Sequence, residues 1–246
     1  MIDHGEFLRN TDNCEIAVLM IHGIAGSPAH FRKIIDVIPQ NLTLYNILLD
    51  GHGKGVSDFG KSSMKKWKTQ VNDTANELLE SHDRLFIIAH SMGTLFAIRK
   101  AIETPDKIAG LFLLSVPTRP WVRFSTVKTC IRVLLGKKGD DVTRITNDTS
   151  INLDKNPFKY LSWAPRFAEL LIEVRRVRKL LPILCVNSLT FQSHIDELVS
   201  ARSVKDLEEH PFIKNTVLYE SGHFDYGERD VLLLRKQLSD MINSFK

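Results

Sequence analysis

Between Leu85 and Ala97 an apolar run, Leu-Phe-Ile-Ile-Ala, passes through His90-Ser91-Met92-Gly93 straight into Thr-Leu-Phe-Ala, with no polar linker. The first part reads as a strand buried on both faces and residues 92–103 as a helix, so the reversal between them falls on Ser91. A serine in so tight a turn is held in a strained backbone conformation with its hydroxyl projecting, and the residues two before and two after it must be small. Ala89 and Gly93 meet that demand; glycine is usual at the first of these positions, and Ala89 exceeds it by one methyl group. The plainer role for Ser91 is that of a helix cap.

The same strand-then-helix unit recurs along the chain. Ile16–Ile21 is a continuous apolar run stopped by His22-Gly23, and Ser27 and Pro28 are placed to cap and open a helix carrying Phe31, Ile34, Ile35 and Ile38, which Pro39 ends. A second run, 42–49, closes at the turn Asp50-Gly-His-Gly-Lys-Gly55 and leads to a stripe of Trp67, Val71, Ala75 and Leu78. Residues 108–114 form a further strand. This alternation specifies an α/β class with a mostly parallel sheet covered by helices on both faces.

After Pro117 the rhythm breaks. The stretch from about 117 to 165 contains helix-like patches and polar loops but no clear strand, and it reads as an insertion, of the kind that often lies over a pocket. Its first patch, Phe124, Val127, Ile131 and Leu134, has helical spacing, with Arg123, Lys128 and Arg132 opposite. The rhythm resumes with a helix over about 166–181, whose basic run (Arg175, Arg176, Arg178, Lys179) reads as a solvated face beside the apolar stripe. Either 183–186 or 188–193 supplies the next strand, 216–219 the last one, and Leu234, Leu238, Met241 and Phe245 a closing helix. With 246 residues, 43% of them hydrophobic, one domain over 1–246 is expected.

Composition excludes several roles. No window reaches the roughly 20 apolar residues of a membrane span, the N-terminus does not read as a signal peptide, and no membrane anchor is expected. The formal charge of +4 is spread without a block of five like charges, which argues against nucleic acid as a partner. Cys14, Cys130 and Cys185 form no ligand pattern and leave one over if two were to pair, so free thiols in the cytoplasm and no metal are expected.

A serine hydroxyl becomes a nucleophile when a base takes its proton, and histidine is the base suited to neutral pH. His90 adjoins Ser91 but points to the opposite face. His223 follows the last strand, at the carboxyl edge where open α/β sheets place their sites, and is the better base. An acid that orients it should follow another strand and precede it in the chain; Asp196 does so if 188–193 is the strand, with Glu197 its nearest competitor and Asp225 too close to His223 in sequence. Donors for a developing oxyanion are expected from the backbone amides of Met92, at a helix N-terminus, and Ile24, in the loop His22-Gly-Ile-Ala-Gly-Ser27.

Taken together, His-Gly-Ile-Ala-Gly at 22–26, Asp-Gly-His-Gly at 50–53, Ala-His-Ser-Met-Gly at 89–93, Ile-Asp-Glu-Leu-Val at 195–199 and Ser-Gly-His at 221–223 resemble the bacterial carboxylesterases and monoacylglycerol lipases of the α/β-hydrolase superfamily. The resemblance spans about 14–245 and is weakest in the inserted stretch. It implies the α/β-hydrolase fold with a cap, hydrolysis of a small-molecule ester through an acyl-enzyme, Ser91, Asp196 and His223 as the triad, the amides of Ile24 and Met92 as the oxyanion hole, and neither metal nor organic cofactor. Asp50 and His52 match a loop that is mainly structural in such relatives, and Ala89 and Asn187 depart from their pattern. Trp121 and Phe124, with Trp163, are the candidates for lining an acyl pocket for short or medium chains, though their spacing also suits ordinary core. The alternatives are a lipase or thioesterase on the same fold, or an inert hydrolase-like binding protein. Oligomeric state is not legible.

Overall fold

The computed structural model describes residues 3–11, 14–121, 151, 152, 154 and 156–245. Seven strands form one sheet in the order β1-β3-β2-β4-β5-β6-β7: β1 (Phe7–Arg9), β2 (Ile16–Ile21), β3 (Thr43–Ile47), β4 (Arg84–His90), β5 (Ile108–Leu114), β6 (Ser188–Ser193) and β7 (Ile213–Leu218). Only β1 runs antiparallel to its neighbour; β2 through β7 pair in parallel. Among the described residues the α-helices are α1 (Val56–Lys61), α2 (Met64–Ser81), α3 (Met92–Glu103), α4 (Ala164–Leu180), α5 (Ser203–Glu208) and α6 (Glu228–Asn243).

The central strands are apolar throughout because both faces are covered, and the period of two divides their side chains between two cores. Ala17, Leu19, Ile21, Leu85, Ile87, Ala89, Leu111 and Leu113 pack on one side with Trp67, Val71 and Ala75 of α2, Leu95 and Ile98 of α3 and Val174 and Val177 of α4. Val18, Met20, Phe86, Ile88, Phe112 and Leu114 pack on the other with Phe31, Ile34 and Ile38 and with Leu234 and Leu238 of α6. Each Val, Leu, Ile, Phe or Met among these, when fully buried, contributes roughly 1.5–3 kcal/mol, so removal of water from the two faces is the main force holding the layers on the sheet.

The strand order contains a switch point. From β2 the chain crosses to β3 on one side and then returns past β2 to β4 on the other. The loops leaving β2 and β4 therefore diverge, and a crevice opens between their carboxyl ends, where open α/β sheets bind ligands.

Several expectations are met, one open alternative is decided and one expectation is corrected. Ser188–Ser193 is the strand and 183–186 is not: Leu181–Ile183 is a short 3-10 turn. The helix expected from Pro28 to Ile38 is instead two 3-10 turns, Pro28–Phe31 and Ile35–Val37. Its side chains still reach the core, but Ser27 does not cap it; its hydroxyl lies 2.7 Å from His4 Nδ1. Strand β1 gave no signal, being three residues long with an exposed Phe7 and Leu8. Of the expected cap, Pro157–Trp163 is a 3-10 helix leading into α4; Phe124 and the patch around it lie outside the described residues.

Gly93 determines how closely α3 can approach β2. A Cβ on it would stand 2.3 Å from the carbonyl oxygen of Ile21 and 2.8 Å from that of His22, both main-chain atoms of the central strand and the loop after it. In Gly93→Ala the gain in helix propensity, about 1 kcal/mol, is opposed by this overlap, and a net destabilisation of roughly 1–3 kcal/mol is expected. Urea denaturation checks this; an unchanged midpoint would mean that the end of β2 moves aside freely.

Candidate active site

Ser91 leads α3 directly out of β4 with φ +50° and ψ −120°. A non-glycine residue persists in such a conformation only when its surroundings hold it there. Here its N–H donates to the Leu114 carbonyl at 2.9 Å, while its own carbonyl accepts from the Thr94 N–H at 3.0 Å and the Thr94 hydroxyl at 2.6 Å. Gly23, in the loop after β2, faces it across the crevice: a Cβ there would lie 2.9 Å from Ser91 Cβ and 3.4 Å from its Oγ. Glycine at 23 thus keeps space open beside the hydroxyl.

The structure brings together the three side chains that the sequence scatters over 132 positions. His223 Nε2 lies 3.1 Å from Ser91 Oγ, and His223 Nδ1 lies 2.9 and 3.0 Å from the two carboxylate oxygens of Asp196. All three residues are buried. Asp196 is held in turn by the N–H groups of Leu198 and Val199, each donating to its Oδ1 at 2.8 Å. Burial works to raise the Asp196 carboxyl, but the His223 charge, the hydrogen bond from His223 and these two amides outweigh it and leave the group below the usual carboxylate range. An ionised carboxylate only accepts, so His223 carries a proton on Nδ1 and turns Nε2 toward the hydroxyl. That is the arrangement a general base needs.

The loop carrying Asp196 is stitched to the chain segment at 119–121. Trp121 N–H donates to the Leu198 carbonyl at 2.7 Å, Ser200 N–H to the Arg119 carbonyl at 3.0 Å, and Arg119 N–H to the Ser203 hydroxyl at 3.1 Å. The Arg119 guanidinium adds a two-pronged bond to Asp206. Trp121 itself is exposed at 60%. Trp163 belongs to the core beside α1: its Nε1 donates to the Val56 carbonyl at 3.0 Å and its ring packs on Phe59, Tyr160 and Phe167.

Met92 is the first residue of α3, so its amide has no acceptor inside the helix and points along the positive end of the helix dipole. Ile24 sits in the turn between Gly23 and Ala25. The turn is shaped by two histidines that the sequence did not mark as site residues. His22 Nε2 accepts from the Leu49 N–H at 3.1 Å, and His52 Nε2 accepts from the Ala25 N–H at 3.1 Å, so each ring ties the loop after β2 to the loop after β3. Ala25, with φ +56°, is thereby turned so that its own amide is engaged by His52. The signal for this was present in Asp-Gly-His-Gly at 50–53, whose histidine has a partner rather than a substrate. Glu197 and His90 were also underrated: Glu197 Oε2 accepts from the His223 N–H and His90 Nε2 donates to the His223 carbonyl. Asp225, the third acid considered, is paired with Lys33.

Burial, above all, drives the pKa values of His22, His30, His52 and His90 down, that of His52 to about 4. These rings are neutral when folded, whereas an unfolded histidine titrates near 6.5. The unfolded chain therefore binds more protons as the pH falls, and the stability associated with these rings is complete above about pH 6.5 and lost toward the folded value. Urea midpoints should fall between about pH 7.5 and about pH 5, and His52→Gln should lessen the fall; equal midpoints at both pH values in the parent protein would contradict the burial of neutral imidazoles.

The family described as Serine aminopeptidase, S33 (Hydrolase_4) matches residues 12–220. The thermostable monoacylglycerol lipase of Bacillus sp. (strain H-257) is 25% identical over 96 residues, which make up 39% of this chain and only 38% of that relative's length. Among solved structures, a chain described under LipS and LipT, two metagenome-derived lipolytic enzymes, gives a TM-score of 0.73 at 19% identity, covering 98% of this chain and 98% of that one. The monoacylglycerol lipase of Paleococcus ferrophilus gives 0.69 at 16% identity, covering 98% of this chain and all (100%) of that one. At such identities the likeness to these structures is one of fold.

Proposed function

The chain belongs to the Serine aminopeptidase, S33 (Hydrolase_4) family of hydrolases and has the α/β-hydrolase fold, and from that premise we propose that it cleaves carboxylic esters with Ser91 as nucleophile, His223 as general base and Asp196 as the orienting acid. The observation that carries this reading is the unbroken chain of contacts from the Ser91 hydroxyl through His223 to the Asp196 carboxylate, at 3.1 Å and 2.9 Å, built on a strained serine. Nothing in the packing of the sheet requires those three groups to meet.

In the first half-reaction the Ser91 oxygen attacks the ester carbonyl carbon while its proton passes to His223 Nε2. The carbonyl oxygen becomes an oxyanion, for which the amides of Ile24 and Met92 are the donors; losing one such donor typically costs about 3–4 kcal/mol of barrier stabilisation. Collapse of the tetrahedral species breaks the bond to the alcohol, which leaves with the proton from His223. Water then gives its proton to His223 and attacks the acyl-serine, and the carboxylic acid departs as Ser91 recovers its proton. Asp196 remains ionised throughout and stabilises the imidazolium each time it forms. Every group used is a side chain or amide of this chain, with no part for a metal or organic cofactor.

Short or medium acyl esters of small molecules are the substrates we favour, with exposed Trp121 at the rim of the pocket in contact with substrate. The lipase names of the relatives support ester chemistry over the peptide chemistry in the family's description. No described helix is long and apolar enough to cross a membrane, and the free thiols of Cys14 and Cys185 fit the cytoplasm as the compartment.

Hydrolysis of p-nitrophenyl esters of graded acyl length, set beside amino-acid anilides, tests the reading. The protein should turn over esters, and folded Ser91→Ala should lose at least ~10³-fold in rate. Asp196→Asn, which leaves the ring in place but favours the wrong tautomer, should lose on the order of 10⁴-fold in kcat. Equal turnover by the parent and folded Ser91→Ala would eliminate Ser91 as nucleophile; activity confined to the anilides would move the proposal to peptide bonds.

A further inference from the structure

The main chain of His223 is gripped at both of its polar atoms. Its N–H donates to Glu197 Oε2 at 2.6 Å, and its carbonyl accepts from His90 Nε2 at 3.1 Å. A carbonyl oxygen only accepts, so the proton of His90 sits on Nε2. Behind it the His90 ring lies face to face with His30, their centroids 3.6 Å apart and their planes 23° from parallel. His30 Nε2 is in turn 3.1 Å from the hydroxyl of Tyr226, three residues beyond His223 in the same loop. The loop after β6 thus reaches His223 twice, with Asp196 on the ring and Glu197 on the amide, while β4 reaches it through His90, the residue before Ser91.

We infer that Glu197 and His90 are positioning residues for proton transfer between Ser91 and His223, with His30 as the brace that fixes the His90 ring. The inference rests on the reading of His223 as the base. Its physical ground is reach: the imidazole is attached to a loop rather than to a regular element, so Asp196 can orient the ring but the backbone of that loop sets where the ring stands relative to Oγ. A bond from an amide to a carboxylate is charge-assisted and about twice as strong as a neutral one, which suits Glu197 to hold the more exposed side of the loop. On the buried side, a charged donor would add a positive charge beside the imidazolium that forms in each half-reaction. His90 supplies a neutral one: burial first, then the neighbouring His30 and His223, keep its ring from taking a second proton, as burial with His223, Arg32, His22 and Lys33 does for His30.

Four variants separate the hydrogen bonds from everything else these side chains do. Glu197→Ala and His90→Phe remove the bond, the second keeping an aromatic ring against His30; Glu197→Gln keeps an acceptor without the charge, and His90→Gln keeps a donor where Nε2 was. Two readouts apply to each variant whose circular dichroism matches the parent. One is ester kinetics together with the rate of fluorophosphonate labelling of Ser91. The other is the low-field proton resonance of His223 Nδ1–H, identified by its loss in His223→Gln. Glu197→Ala and His90→Phe should lower kcat and the labelling rate by ~10- to 100-fold with KM within about twofold, and should weaken or abolish the resonance, while both Gln variants recover most of each. Parent-like kcat and resonance in folded Glu197→Ala and His90→Phe, a loss confined to KM, or Gln variants no better than Ala and Phe would each overturn the clamp. If the parent neither cleaves esters nor takes the label, the hydrolase reading is what fails, and the resonance still decides whether the clamp holds the ring. Should His90→Phe fail to fold, the Glu197 pair and His90→Gln carry the same decision.

Discussion

The strained backbone of Ser91 needs support from several directions at once, and much of the structure can be understood as that support. Its amide is tied to β5 through Leu114, its carbonyl to the first turn of α3 through Thr94, and α3 is pressed against the end of β2 at Gly93. These three neighbours are central elements with both faces of the sheet covered, so relaxing the serine would disturb contacts in two hydrophobic cores. A local conformation costing on the order of 1–3 kcal/mol is affordable only where the surrounding burial is worth many times that.

The approach of the partners to the serine follows a different logic. Asp196 and His223 come from loops, which lack the internal hydrogen bonding of a helix or strand. Their precision comes from side chains that bond to main chain: Asp196 to two amides beyond itself, Glu197 and His90 to the two sides of one peptide residue, Ser193 to the Gly222 carbonyl, and Asp230 to the Glu220 amide and the Ser221 hydroxyl. The buried histidines play the same part for the loops after β2 and β3. Polar groups held this way are satisfied, and so their burial does not carry the penalty of an orphaned donor or acceptor.

The legible part of the sequence was the part governed by periodicity and by close contact. The runs of β2, β4 and β5 could be read because a strand covered on both faces must be apolar at every position, and α2 because its stripe recurs every three or four residues. Ser91, Asp196 and His223 could be picked out because each follows a strand in the required order. What could not be read was held by individual contacts. Pro28–Val37 carries an apolar stripe that suits a helix, yet it folds as two short turns, since Phe31, Ile34 and Ile38 reach the core either way. Glu197 was visible as a rival to Asp196, but no sequence pattern reveals that one carboxylate would take a ring and its neighbour the amide of the same residue. His30 and His90 are 60 positions apart, and nothing in their spacing announces that they stack.

The stitching of residues 119–121 to 198–203 gives the molecule a collar at the point where the chain leaves the sheet after β5. The collar binds that departing chain to the loop of Asp196 by main-chain bonds, which depend little on which side chains follow. A segment of different length or composition could therefore be grafted beyond Trp121 while the acid stayed where it is. In engineering terms the collar is a socket: Ser91, Asp196 and His223 belong to the frame, whatever is plugged in after it.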